Sequence, residues 1–157
     1  MTQLFIAEME LAVANFFNPR VHLIVPNVSW GMGIHECDLL ILTKCGYANE
    51  VEIKLSLPDL KRDLLKRHGH RSNLIKRLFF AIPESLAEHQ GYIPDRAGII
   101  IVKARGNERG CKLVRKAEIN KSAKPFTNEQ TLHFGRLAAM RIWSLKETLV
   151  QRRNNAI

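Results

Sequence analysis

The sequence predicts a single α/β domain over residues 1–157, built on a mixed sheet with flanking helices and a long C-terminal helix. A chain of 157 residues can bury about two-thirds of its unfolded surface around one core. Its composition, 46% apolar and 25% charged, is that of an ordinary globular protein. The third observation is the order of patterns along the chain, a helix, three strands, a helix and a strand, which is typical of mixed α/β folds.

The first predicted element is a helix over residues 2–17, which Thr2 caps and which ends before Asn18-Pro19. Its sequence is apolar nearly all round, so we expect the helix to be largely buried. A first strand is predicted over residues 20–30, where apolar residues dominate.

Two further strands, over residues 35–43 and 47–55, are predicted to form a hairpin. The loop between them, Lys44-Cys45-Gly46, has glycine at its last position. Three-residue hairpin loops need the left-handed conformation there, and glycine adopts it readily. The loop therefore supports the hairpin and, because its length is defined, also fixes which residues face each other.

The remaining predicted elements follow from apolar spacing and from turn residues. They are a helix over 58–68 with Ser56 as its cap, strands over 75–82, 98–102 and 111–115, a short helix over 84–89, and a helix over about 128–153. The segment 116–127 is polar and basic and is predicted as a loop. On the C-terminal helix, six apolar residues are expected to contact the core: Leu132, Leu137, Met140, Trp143, Leu145 and Leu149.

Three charged residues of the hairpin are predicted to lie together. The loop pairs Thr43 with Tyr47, and this register sets Asp38 directly opposite Glu52. Strand alternation puts Lys54 on the same face as Glu52. Directly opposed side chains have Cβ atoms about 5 Å apart, and two carboxylates that close repel each other unless a cation lies between them. The pattern therefore predicts a divalent-metal site with an ammonium group beside it.

Two alternatives concern the acidic residues around this site. The same register places Lys54 opposite Glu36, so these two side chains could instead form an exposed ion pair of little energetic weight; Glu36 could also be a further ligand. A carboxylate from the first helix is expected to join the site. Both Glu8 and Glu10 qualify, because a nearly all-apolar helix should not bury a lone carboxylate without a partner. Of the two, Glu8 is favoured.

This pattern resembles the PD-(D/E)XK nuclease superfamily, and in particular its MmcB-like DNA-repair branch and related phage proteins. The resemblance covers roughly residues 1–103. It rests on Asp38, a gap of 13 residues, Glu52-Ile53-Lys54, then Asp59, Leu60 and Asp63, and finally Leu78-Phe79-Phe80-Ala81-Ile82-Pro83. One departure is that Ile34-His35-Glu36-Cys37 precedes Asp38 where the superfamily's name-giving proline would stand.

The resemblance implies a restriction-endonuclease-like core and a Mg²⁺- or Mn²⁺-dependent nuclease that cleaves DNA phosphodiester bonds. It implies that Asp38 and Glu52 hold the metal with the backbone carbonyl of Ile53, since such ions prefer oxygen ligands. Lys54 would orient the nucleophile and offset charge in the transition state. A catalytically inactive nucleic-acid-binding module on the same fold is the alternative, and a basic structural protein is a weaker third.

The charge of the chain indicates a polyanionic partner. The formal net charge is +9, and seven basic residues lie between positions 61 and 77 with one acid among them. We expect DNA to be bound there, with RNA not excluded, and Lys76 is the favoured phosphate contact. The residues expected to bind nucleic acid are Lys61, Lys66, Arg67, Arg71, Lys76 and Arg77.

Other residues are assigned no special chemistry. The three cysteines match neither a disulfide framework nor a zinc pattern. His68 and His70 lack a third ligand at a fitting spacing, so a zinc site is not predicted, and Trp30 is expected to pack rather than to stack on a base. The sequence shows neither a leader nor an apolar run of membrane-spanning length, so we expect a cytoplasmic protein without membrane contact. The C-terminal helix is a candidate surface for a homodimer.

Overall fold

The computed structural model describes residues 4–28, 33–105 and 108–155. The predicted helix cap Thr2 and the predicted packing of Trp30 lie outside the described residues. Within them, the helices are α1 (Ile6–Phe17), α2 (Leu57–Asp63), a 3₁₀ helix (Glu84–Tyr92) and α3 (Asn128–Asn154). The strands are β1 (Leu23–Val28), β2 (Cys37–Leu42), β3 (Ala48–Ile53), β4 (Ile75–Pro83), β5 (Gly98–Arg105) and β6 (Glu108–Arg115).

The six strands form one mixed sheet in the order β1-β2-β3-β4-β5-β6. Strands β1, β2 and β3 form an antiparallel meander, β3, β4 and β5 are parallel, and β6 returns antiparallel to β5. The parallel connections pass through α2 and through the 3₁₀ helix, as parallel strands require crossovers. The predicted mixed sheet with flanking helices and a long C-terminal helix is confirmed.

One face of the sheet is covered by α1. Leu39 of β2 and Val51 and Ile53 of β3 pack there against Met9 and Val13. These strand residues alternate with residues of the opposite face, as the period of a strand dictates. This face is an ordinary apolar layer.

The opposite face carries two apolar clusters with polar residues between them. Leu40 packs with Phe134 of α3 in one cluster, and Leu78 packs with Leu60 of α2 in the other. Glu50 is paired with Leu40 on one side and with Leu78 on the other, and its side chain is fully buried. Since burying a charge is costly without partners, this interruption of the core points to a functional or structural polar cluster.

The predicted burial of α1 is wrong for half of the helix. Met9 and Val13 are buried, but Phe5 before the helix and Leu11 on its outer side are about two-thirds exposed, at 67% and 66%. The helix lies on the sheet by one face only, because no other element covers its outer side in the described parts of the chain. The apolar composition of α1 therefore predicted more burial than the helix has.

The predicted core contacts of α3 are also largely wrong. Phe134 is buried and Leu137 packs beside it, but the other five residues are more than half exposed: Leu132, Met140, Trp143, Leu145 and Leu149. A helix of 27 residues is about 40 Å long, whereas β1, on which it packs, has six residues and spans about 20 Å. A strand this short leaves much of α3 uncovered.

Other boundaries differ by a few residues. Helix α2 ends at Asp63 rather than at 68, and the predicted cap Ser56 is confirmed because its Oγ accepts a hydrogen bond from the Asp59 amide at 3.3 Å. The predicted loop over 116–127 is confirmed. No helix among the described residues is both long and apolar enough to cross a membrane.

Candidate metal and nucleic-acid site

The hairpin has the register that its loop predicts. Gly46 has φ of +81°, the Thr43 amide donates to the Tyr47 carbonyl at 2.9 Å, and Leu39 is paired with Val51. Continuing this register by one step brings Asp38 opposite Glu52.

Beyond the Leu39–Val51 pair, a side chain rather than a backbone carbonyl of β2 accepts the hydrogen bond from β3. Asp38 Oδ2 accepts a hydrogen bond from the Ile53 amide at 2.7 Å. Burial and the nearby charge of Glu52 raise the pKa of Asp38 above its ordinary value. The two carboxylates are thus near enough to repel each other, as predicted.

Lys54 is buried beside two carboxylates. Its Nζ lies 2.7 Å from Glu52 Oε2 and 3.0 Å from Asp63 Oδ1. Burial alone would lower the pKa of Lys54, but these two carboxylates outweigh it and raise the pKa above its ordinary value. Glu36 is exposed, so the alternative pairing of Lys54 with Glu36 is wrong. The partner that the sequence reading missed is Asp63, on α2.

A second ammonium group bridges the same two oxygens. Lys66 Nζ lies 2.9 Å from Glu52 Oε2 and 2.9 Å from Asp63 Oδ1, and its side chain is 35% exposed. Lys54 and Lys66 therefore both pair with Glu52 and Asp63, and the four side chains form a closed network of alternating charge. The other oxygen, Glu52 Oε1, is buried and accepts no hydrogen bond from the described residues.

His70 links Asp63 to a further buried carboxylate, Glu50. Its Nδ1 lies 2.6 Å from Glu50 Oε1, and its Nε2 lies 2.6 Å from Asp63 Oδ2. Both ring nitrogens must donate to satisfy two carboxylates, so the ring is an imidazolium. Burial would lower the pKa of His70, but the hydrogen bonds with Asp63 and Glu50 outweigh it and raise the pKa to about 9.

His35 completes the partners of Glu50. Its Nε2 lies 2.7 Å from Glu50 Oε2, and its ring stacks on His68 with centroids 4.3 Å apart. Burial raises the pKa of Glu50, but the hydrogen bonds with His35 and His70 outweigh it and hold the pKa below its ordinary value. The structure thus supplies the third histidine that the sequence spacing lacked, although Glu50 and Asp63 already occupy both nitrogens of His70.

The chain reaches His70 through a left-handed turn. Gly69 has φ of +51° and His70 has φ of +55°, a conformation that non-glycine residues adopt at a cost. Arg96 stabilises this turn, because its guanidinium donates to the carbonyls of Gly69 and His70. The turn aims the His70 ring into the core between α2 and β3.

Glu8 and Glu10 of α1 have different surroundings. Glu8 accepts a hydrogen bond from the Phe5 amide at 2.9 Å and one from Arg109 of β6 at 2.5 Å. Glu10 is coupled to Asp38 instead: burial and then the charge of Asp38 raise the pKa of Glu10. These contacts favour Glu10 as the α1 carboxylate near Asp38, in contrast to the sequence-based preference for Glu8.

The six basic residues expected to bind nucleic acid separate into distinct environments. Lys66 is engaged with Glu52 and Asp63, whereas Lys61 and Arg67 are exposed around α2. The other three line one cleft of about 570 Å³: Arg71, Lys76 and Arg77. Position in the chain therefore did not distinguish Lys66, which pairs with buried carboxylates, from the basic residues that face solvent or the cleft.

The comparisons with known proteins identify the family. The model of the family described as DNA repair protein MmcB-like matches residues 3–149. The chain belongs to the MmcB-like family. This family is part of the PD-(D/E)XK superfamily, so the resemblance seen in the sequence is confirmed and extends beyond residue 103 into α3.

A solved structure supports the fold of this MmcB-like chain. The structure is the SPO1766 protein of unknown function from Silicibacter pomeroyi, which is 18% identical. The match covers 94% of this chain and 90% of that one, with a TM-score of 0.63. The restriction-endonuclease-like α/β core is thereby confirmed. No curated protein matches the chain.

The carboxylates of this MmcB-like chain fit a divalent cation. Glu10, Asp38 and Glu52 are hard oxygen donors, and the pKa values of Glu10 and Asp38 are raised by burial and by neighbouring negative charge. Glu52 Oε1 is buried, accepts no hydrogen bond from the described residues, and lies 3.9 Å from His70 Nδ1. A cation near these oxygens would relieve both the repulsion and the unsatisfied acceptor.

Proposed function

We propose that the protein is a Mg²⁺- or Mn²⁺-dependent nuclease that hydrolyses DNA phosphodiester bonds in repair. The observation that carries the proposal is the set of three carboxylates Glu52, Asp38 and Glu10: burial and neighbouring negative charge raise the pKa values of Asp38 and Glu10, and the buried Glu52 Oε1 accepts no hydrogen bond from the described residues. Membership of a DNA repair family supports DNA as the substrate. Asp38, Glu52 and Glu10 would hold the ion, together with the backbone carbonyl of Ile53. When bound, the ion would polarise the phosphate and lower the pKa of a water ligand.

Lys54 would act as a charge stabiliser. Its raised pKa keeps it protonated at neutral pH, so it cannot serve there as a general base. A buried ammonium fixed by Glu52 and Asp63 is instead preorganised to stabilise negative charge on the phosphoryl oxygens. Asp63 would position Lys54, and His70 would position Asp63 through its 2.6 Å hydrogen bond.

Basic residues around α2 and β4 would hold the substrate. Lys61 and Arg67 are exposed near α2, and Arg71 and Arg77 follow in the chain. Phosphate contacts of this kind supply affinity that falls steeply as salt rises. We therefore expect DNA binding to be salt-dependent whether or not the protein cleaves.

A plasmid-nicking assay with Mg²⁺ or Mn²⁺ tests the proposal. Asp38→Asn and Lys54→Met should each lower the cleavage rate at least a hundredfold, because one removes a ligand charge and the other the charge stabiliser. Glu36→Gln is the matched control, since it removes an exposed carboxylate two residues before Asp38 and should cleave at the wild-type rate.

Thermal unfolding must show that the Asp38→Asn and Lys54→Met variants are folded. Cleavage at the wild-type rate by both folded variants would refute the proposed site. Cleavage that persists in EDTA would refute the metal dependence.

The second candidate is a nucleic-acid-binding module that does not cleave. The balance of charge in the buried cluster favours it: Glu50, Glu52 and Asp63 are matched by His70, Lys54 and Lys66 without a metal ion. An ammonium group already satisfies Glu52 Oε2. Salt-dependent DNA binding without Mn²⁺-stimulated cleavage by the wild-type protein would favour this function.

A further inference from the structure

A basic cleft adjoins the buried cluster at His70. Its volume is about 570 Å³, within the range of about 300–1,000 Å³ that is usual for small-ligand pockets. Two stretches of chain form its walls, residues 70–78 and residues 118–122, and Arg96 lies between them. The cleft is a feature that the sequence did not reveal, because its walls are 40 residues apart.

Backbone hydrogen bonds fix the walls of the cleft. The Asn120 amide donates to the Lys76 carbonyl at 2.9 Å, and the Glu118 amide donates to the Arg96 carbonyl at 2.9 Å. The Asn120 side chain also donates to the carbonyls of Ser72 and Ile75, at 3.1 and 3.0 Å. The loop over 116–127 is therefore held against β4, and the cleft is formed before any ligand arrives.

The charge of the cleft is strongly positive. Arg71, Lys76, Arg77 and Arg96 line it together with a single acid, Glu118. Burial and the charge of Arg71 lower the pKa of Arg96, so the two guanidinium groups lie close enough to repel each other. Within the described ranges, neither Arg71 nor Arg77 has a carboxylate partner. Like charges crowded on inner walls are stabilised by an anion between them.

The rest of the lining suits the other parts of a nucleotide. Ile119 offers an exposed apolar side chain, 52% accessible, on which a base could pack. Asn73 and Ser122 are exposed polar residues at the same cleft and can form hydrogen bonds with a base or a sugar. Cations, an apolar surface and polar groups in one cleft are what a phosphate, a base and a sugar require.

We propose that this cleft binds one phosphate-bearing nucleotide of an unpaired DNA strand. A base-paired nucleotide cannot enter such a cleft without leaving the duplex stack, which costs free energy, whereas an unpaired one can. The protein therefore prefers single-stranded DNA, or duplexes with unpaired nucleotides, over fully paired DNA. The proposal rests on the proposed function only for its choice of DNA as ligand.

Fluorescence anisotropy in EDTA tests the cleft separately from cleavage. The probes are a labelled 24-nucleotide single strand and the blunt duplex of the same sequence. The wild-type protein should bind the single strand at least about tenfold more tightly. Equal affinity, or preference for the duplex, would overturn the proposal even if the protein proves to be a nuclease.

Charge-matched double variants locate the binding. Arg71→Ala/Arg77→Ala should weaken single-strand binding at least about tenfold, reduce the salt dependence by one to two phosphate contacts, and weaken duplex binding less than single-strand binding. Lys112→Ala/Lys116→Ala, which removes the same charge from exposed positions on and after β6, should change both affinities by less than about threefold. Equal losses in the two double variants would show general electrostatics and would overturn the cleft as the site. Melting temperatures must match the wild type.

Competition separates a nucleotide site from a phosphate site. Thymidine 5′-monophosphate should displace the labelled single strand at millimolar concentration, and inorganic phosphate at the same concentration should displace much less. Equal displacement by both would refute the contribution of the base and reduce the cleft to a phosphate site.

Discussion

His70 is expected to make the stability of the protein depend on pH between about 6.5 and 9. Folding raises the pKa of His70 from 6.5 to about 9, against the opposing effect of burial, through Asp63 and Glu50. At about 1.4 kcal/mol per pKa unit, this corresponds to about 3 kcal/mol of stability. Because the folded pKa is the higher one, the stabilisation is complete below pH 6.5 and is lost as the pH rises through about 9.

At acidic pH, stability is expected to depend on Glu50 and Asp63. The pKa values of Glu50 and Asp63 are lowered in the folded protein, where hydrogen bonds with histidines, and for Asp63 also with lysines, outweigh burial. Their stabilisation is present above their unfolded pKa values and is lost as the pH falls through the folded ones. Maximal stability is therefore expected between about pH 5 and 6.5.

Urea unfolding of the wild type and of His70→Gln at several pH values measures this effect. Glutamine keeps a polar side chain at the position but cannot carry charge, so the difference between the two proteins removes background titrations, including those of buried thiols. We compare the difference in free energy of unfolding between wild type and variant at two pH values. This difference should be about 3 kcal/mol larger at pH 6.5 than at pH 9.5. A difference that is constant over this range would refute an imidazolium at position 70.

Two further substitutions test the cluster and the core. Lys66→Met removes an ammonium group 2.9 Å from Glu52 Oε2, so Mn²⁺ should bind about tenfold more tightly by calorimetry; unchanged or weaker binding would contradict the metal site. Gly98→Ala would put a Cβ 2.5 Å from the Phe79 ring and should lower the free energy of unfolding by about 1–3 kcal/mol, measured with urea. Gly110→Ala, with open space around it, is the control and should change stability by less than about 1 kcal/mol; a larger loss at Gly110 than at Gly98 would refute the steric argument.

The hairpin was predictable because its determinants are local. A three-residue loop ending in Gly46 fixes the register, and the register alone brings Asp38 to Glu52 and puts Lys54 on the face of Glu52. Asp63 was not predictable as a partner of Lys54, because the position of α2 over β3 depends on tertiary packing.

Helix burial was predicted poorly for a different reason. Apolar composition indicates that a helix can be buried. The length of the element on which it packs decides how much of the helix is buried. Phe134 of α3 packs against the sheet, but Trp143 and Leu149 remain exposed. The separation of Glu8 from Glu10 needed the position of Arg109, about 100 residues away, which no local pattern contains.

The turn at Gly69-His70 connects the buried cluster to the basic cleft. On the core side, the His70 ring holds Asp63, and thereby the partner of Lys54. On the cleft side, Arg96 donates to the carbonyls of the same two residues while it lines the proposed nucleotide site. A phosphate that draws Arg96 towards the cleft would therefore act on the backbone that orients His70. The cleft and the buried cluster therefore share this turn, so a change at Arg96 should affect both binding in the cleft and cleavage.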